Sequence, residues 1–118
     1  MNEIRLKRIY EAAEAEDGYR ILADRLWPRG IKKADAHIDD WAKDISPSND
    51  LRKKFHADDD YEAFEKDYAS EMDANENMAA FVSLVREKLN DGNVTFLTAS
   101  KNPERCNISV LLKYVQNN

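Results

Sequence analysis

Tyr19-Arg20-Ile21-Leu22-Ala23-Asp24-Arg25-Leu26-Trp27-Pro28-Arg29-Gly30 is the stretch on which the fold turns. Residues Tyr19 to Leu26 predict a strand. Its centre, Ile21-Leu22-Ala23, is apolar on both faces, the pattern of an interior strand covered on both sides. Pro28 cannot donate to a ladder and Gly30 permits a sharp turn, so the strand stops there. Val94 to Ala99, compact and β-branched, predicts a second interior strand. Between these two runs the apolar residues recur at helical spacing. Ile38, Trp41 and Ile45 predict one helix, ended at Ser46-Pro47-Ser48. Leu51 and Phe55 predict a short second one, with a serine as cap and Pro47 in the first turn. Tyr61, Phe64, Tyr68 and Met72 predict a third, capped by Asp58. Met78, Phe81, Leu84, Val85 and Leu89 predict a fourth, closed by a left-handed Gly92. So long a helical crossover predicts that the strands it joins are parallel.

Outward from this centre, Ile4 to Tyr10 predicts a first strand, in which Ile4 and Leu6 alternate with Arg5 and Lys7. Glu11 to Gly18 reads as a connection. Asn102-Pro103-Glu104 opens a last helix, with Ile108, Leu111, Leu112 and Val115 as its core face. The expected fold is one α/β domain over residues 1–118: small, three-layered, with a short, mainly parallel sheet flanked by helices.

The chain has 118 residues, 42% of them apolar and 35% charged. That is globular composition and the length of a single domain. No apolar run approaches the roughly 20 residues of a membrane helix, and the opening Met1 to Arg5 lacks the pattern of a signal peptide. A cytoplasmic location is the default expectation, and the lone Cys106 agrees with a reducing compartment. Net charge is −5. Residues 58–76 hold nine acids and one base, a local −8 that leaves +3 for the remainder. A basic footprint for nucleic acid is absent, so nucleic acid is not an expected partner. The acidic run reads as a solvated helix face, or as a docking face for a basic protein.

Ligands of open parallel sheets bind at the carboxyl ends of the strands. There the sequence places Arg8, then Asp24, Arg25, Trp27 and Arg29, then Ser100 and Lys101. Arg52 and Asn107 sit near helix starts. Arginines can grip a phosphate or carboxylate in bidentate fashion, and a helix start beside Lys101 would add donors. The expected partner is therefore a small anion: phosphate, nucleotide or carboxylate. Asp24 and Arg25 point to opposite faces of their strand, so each needs its own partner. Asp24 is the one candidate catalytic base; its plainer role is to bond nearby backbone amides. A helical wheel drawn from Ile108 turns Cys106 toward solvent, away from the site. No metal is expected, because His37 and His56 lack ligand spacing and Asp58-Asp59-Asp60 lacks the other parts of a calcium loop. No cofactor is expected either, for there is no phosphate-binding or dinucleotide-binding glycine loop. The residues name no reaction.

Several segments together resemble one family. They are the Ile4–Tyr10 strand with its Leu-Lys-Arg core, Gly18-Tyr19-Arg20, the run Asp24-Arg25-Leu26-Trp27-Pro28-Arg29-Gly30, Pro47-Ser48 with Leu51-Arg52, and Val94-Thr95-Phe96-Leu97. This set is similar to the YeaO-like proteins of the domain of unknown function 488, over nearly the whole chain. The resemblance implies a three-layer α/β domain and no established reaction. It implies motif positions at Arg8, Asp24, Arg25, Trp27, Pro28, Arg29, Gly30, Ser48, Arg52 and Asn107. One departure stands out. YeaO-like members often have histidine before the asparagine of the last helix, and this chain has Cys106. That cysteine resembles the first residue of a Cys-His-Arg motif of the broader family, but Asn107 and Ile108 follow it.

Overall fold

The structure, a computed structural model, describes residues 2–118. Strand β1 (Ile4–Arg8) leads through a loop and a 3₁₀ turn (Ala15–Asp17) to β2 (Tyr19–Leu22). A one-turn helix, α1 (Lys33–Ala36), precedes a two-residue strand, β3 (Asp40–Trp41), and a second 3₁₀ turn. Three helices follow: α2 (Asn49–Asp58), α3 (Tyr61–Asp73) and α4 (Met78–Leu89). Strand β4 (Val94–Thr98) and helix α5 (Asn107–Gln116) complete the chain. The sheet runs β1-β4-β2-β3 with every pair parallel. The latest strand is thus an inner one, and all five of its residues are buried.

Alternation along the strands sorts side chains onto two faces. Ile4 and Leu6, Ile21, and Val94 with Phe96 meet the apolar stripes of α3, α4 and α5. Burying one such side chain stabilises the fold by about 1.5–3 kcal/mol. The opposite face carries Leu22 and Leu97, covered by Ile9, Ala36, Trp27, Ile31, Ile38 and Trp41. That third layer is thin: loops and the single turn of α1. No helix among the described residues is long and apolar enough to cross a membrane.

Beside those leucines the loop-covered face holds charge. Arg5, Thr95 and Arg20 lie in one row across β1, β4 and β2. Asp17, fully buried, sits against that row. Lys7, 6% exposed, donates to both its oxygens at 3.0 Å, and Arg20, 5% exposed, bonds it as well. Arg5 reaches it at 3.2 Å. Three cations on one face of two strands demand a buried anion between them, and the tight turn before β2 supplies it. Gly18, at φ +64, permits that turn; a Cβ there would lie 1.9 Å from the Asn93 carbonyl oxygen.

Four expectations are corrected. The helix through Ile38, Trp41 and Ile45 does not form. His37 turns left-handed at φ 51 and ends α1, and the following amides bond β2 instead, Asp39 to the Arg20 carbonyl and Ala42 to that of Leu22. Asp58 ends α2 rather than capping α3; Asp60 is the cap, accepting from the Ala63 amide. Gly92 keeps out of the left-handed region. The last helix starts at Asn107, not Asn102, whose side chain caps only a local turn. That shift moves Cys106 from the expected solvent face to a buried N-cap, 4% exposed.

Candidate functional site

The carboxyl edge of the sheet is built around Asp24. As β2 runs out, the Ala23 amide still pairs with the Leu97 carbonyl. Asp24 then replaces the ladder with its side chain, accepting from the Thr98 hydroxyl at 2.9 Å and the Ala99 amide at 2.7 Å. Asn107, at the first position of α5, donates to the same carboxylate at 3.0 Å and to the Ala23 carbonyl at 2.7 Å. Trp41 donates to the Asp24 carbonyl at 2.7 Å. One carboxylate thus joins the end of β2, the end of β4 and the start of α5. Three donors on two oxygens make it a structural clasp.

Two arginines bond the backbone of segments that flank this clasp or follow it in the chain. Arg8 donates through Nε to the Ser100 carbonyl at 2.9 Å and lies 5.0 Å from the Tyr10 ring centre. Arg25 leaves Asp24 for the other side, donating to the Pro47 carbonyl at 2.8 Å and the Ser46 carbonyl at 2.9 Å. Arg52 bonds the Asn49 side chain at 3.1 Å, so Arg25 and Arg52 both hold the 46–49 segment. Among the described residues, Arg8, Arg25, Arg29 and Arg52 have no carboxylate within 4.0 Å. The guanidinium groups of Arg8 and Arg25 are oriented by neutral backbone carbonyls, which leave their charge uncancelled.

The other expected residues lie apart from this group. Trp27 sits edge-on to Trp41, 5.2 Å between ring centres, and donates to the Ile31 carbonyl. Arg29 is exposed, and its carbonyl accepts from the Tyr10 hydroxyl. Lys101 is exposed and separated from α5 by a turn. At the start of α5 the Cys106 and Ser109 side chains face each other's backbone amides in a capping-box arrangement. Burial pushes the Cys106 thiol up, against the opposing pull of the Ile108 and Ser109 backbone and of the Ser100 side chain. Ser48, a position named by the family pattern, caps α2 and is held by Glu71 through both its amide and its hydroxyl.

Two features escaped the sequence. The Asp17 cluster was hidden because Asp17 lies in a connection. The only signal was the excess of cations on alternate positions of β1 and β2. Cys106 was misplaced because its position follows from where α5 begins. The acidic run is largely spent within the chain. Asp59 pairs with Arg105, Glu65 with Lys113 and Asp67 with Lys54; Asp60 caps α3, Glu71 holds Ser48 and Asp73 accepts from Tyr114. No group of three His, Cys, Asp or Glu side chains among the described residues is arranged to hold a metal ion.

Comparison with known proteins gives a consistent picture. A family model described as the inactive DUF488-N3 subclade matches residues 3–118. The uncharacterized protein YeaO of Escherichia coli is 41% identical over 114 residues, covering 96% of each chain. The uncharacterized protein Rv3073c of Mycobacterium tuberculosis is 33% identical over 109 residues, covering 92% of this chain and 89% of that one. No solved structure matches.

Proposed function

Because this chain belongs to the DUF488 family, and matches the subclade of it described as inactive, we propose that it binds a small anion without transforming it. The ligand is a phosphate, nucleotide or carboxylate at the carboxyl edge of the sheet. The observation that carries this reading is the set of uncompensated guanidinium groups. Arg8 and Arg25 each spend two N–H donors on carbonyls, which leaves three of five to meet a ligand. A guanidinium held in place by neutral groups keeps its full charge and has lost its rotational freedom, so less entropy is spent on binding. Arg52, Asn107 and Ser100 complete the candidate set at this edge; Arg29, Lys101 and Trp27, which lie apart, are left out of it.

The absence of catalysis is supported by two side chains. Asp24 is occupied as an acceptor from three donors, a poor state for a general base. The Cys106 thiol is buried and pushed up, away from the thiolate a nucleophile requires. The alternative, an acidic docking face over residues 58–76, has less support, because most of those acids already have partners in the chain.

Calorimetric titration of inorganic phosphate, adenosine monophosphate and citrate into the full chain at low salt tests the proposal. Saturable binding of at least one is expected, weakened about tenfold or more in Arg25→Ala and restored in part by Arg25→Lys, as loss of one charge-assisted contact implies. Absence of binding by all three, or an unchanged affinity in both Arg8→Ala and Arg25→Ala, rejects it.

A further inference from the structure

We infer that the anion at this edge is a nucleotide, with its base stacked on Tyr10 and its phosphate on Arg8; the inference rests on the anion reading above and narrows it to one class of ligand. Among the described residues two large apolar side chains are exposed, Tyr10 at 46% and Leu26 at 54%. Tyr10 follows the carboxyl end of β1, and Leu26 lies in the loop that follows β2. Exposed apolar side chains scattered singly call for no explanation, but these two share one end of the sheet with the arginines that lack a carboxylate partner. An inorganic ion cannot use such surface. An anion that carries a flat ring can.

Tyr10 is held as a platform. Its hydroxyl donates to the Arg29 carbonyl at 2.9 Å, and the Arg8 guanidinium lies over its ring, 5.0 Å from the centre. Arg8 is itself fixed, through Nε to the Ser100 carbonyl at 2.9 Å and through Nη2 to the Ala99 carbonyl at 3.4 Å. Ring and charge are thus ordered together before a ligand arrives, which lowers the entropy lost on binding. Nη1 of Arg8 has no protein partner among the described residues and can meet a phosphate oxygen. A base stacked on an aromatic side chain adds affinity whatever its identity.

The position of Arg8 selects within the class of aromatic anions. Arg8 covers one face of the Tyr10 ring, so a ligand ring stacks on the other. The phosphate must then reach around the ring edge to Arg8, which requires a spacer between ring and phosphate. The ribose of a nucleotide is such a spacer; a phosphate joined directly to a phenyl ring has none.

Adenosine monophosphate, ribose 5-phosphate and phenyl phosphate are the probes, titrated into the full chain at low salt and followed by calorimetry. Adenosine monophosphate should bind at least about fivefold tighter than either of the others, the size of a weak base–aromatic stack. Tyr10→Ala should remove that advantage and leave the affinity for ribose 5-phosphate unchanged, which also shows that the variant is folded. Tyr10→Trp, which keeps a ring, should preserve the advantage, and Arg8→Ala should weaken adenosine monophosphate and ribose 5-phosphate alike. The inference is overturned if adenosine monophosphate gains nothing over ribose 5-phosphate, or if phenyl phosphate binds as tightly as adenosine monophosphate. It is also overturned if Tyr10→Ala weakens both sugar phosphates equally, since the ring would then serve only to support Arg8. In those three cases ribose 5-phosphate still binds and the anion reading stands. Failure of adenosine monophosphate to bind overturns the inference outright, and titration of inorganic phosphate and citrate then decides the anion reading by itself.

Discussion

Asp24 and Arg25 are adjacent in sequence and serve different neighbours. Asp24 gathers donors from β4 and α5, and Arg25 secures the backbone ahead of α2. Asp24→Ala leaves the Ala99 amide, the Thr98 hydroxyl and the Asn107 amide group short of an acceptor. A loss of about 3 kcal/mol is expected, read from urea midpoints; Asp24→Asn, which keeps an acceptor oxygen, should lose less. Cys106 gives a second check at this scale. Buried at the tip of α5 with its thiol pushed up, it should resist a disulfide reagent at neutral pH until the chain unfolds. Complete labelling of native protein within minutes would contradict that placement. Asp24's clasp was legible in the sequence as the plainer of its two roles, because a carboxylate at the end of an apolar strand must find amides. The Cys106 environment was not legible, because a helical wheel is only as good as its origin, and the turn at 102–105 shifts that origin.

At the scale of elements, strands were easier to read than the stretch between them. The inner strands declare themselves by apolar runs at Ile21–Ala23 and Val94–Thr98. The crossover was correctly helical from Asn49 onward. Ile38, Trp41 and Ile45 misled because three apolar residues at helical spacing also fit a short strand followed by a tight turn. Amides of Asp39 and Ala42 choose β2, a long-range pairing that spacing alone does not reveal. Caps were partly legible: Ser48 was foreseen as a candidate, its partner Glu71 was not. Ser48→Ala should cost about 1–2 kcal/mol, and Glu71→Gln less, both measured by chemical denaturation. The start of β2 is less forgiving. Gly18→Ala forces a Cβ onto the Asn93 carbonyl in a left-handed conformation. It should destabilise by about 3 kcal/mol or more, with unchanged unfolding excluding the tight approach described above.

For the whole molecule, the Asp17 cluster adds a pH-dependent contribution to stability. Burial pushes the Asp17 carboxyl up, but the Glu14 amide, Lys7 and Arg20 outweigh it and hold the group below 3.8. Burial likewise lowers Lys7, and Glu14 with Asp17 outweigh it and hold the ammonium above 10.5. The Asp17 contribution is therefore complete above pH 3.8 and fades as pH falls through its lowered folded value. The Lys7 contribution is complete below pH 10.5 and fades as pH climbs through its raised one. Asp17→Asn leaves buried cations uncompensated and should cost about 3–5 kcal/mol near neutrality. Its urea midpoint, followed downward from pH 5, should also lack the part of the wild-type acid decline that belongs to Asp17. A wild-type decline that persists in full in the variant would place the acid sensitivity elsewhere.

The sheet order has a consequence for the newborn chain. β1 and β2 are not paired with each other; each pairs with β4, which comes after residue 93. A ribosome must therefore polymerise more than three quarters of the protein before the two earlier strands acquire their shared neighbour. Until then the edges that β4 will fill stay unpaired, a window in which the nascent chain is open to association with others.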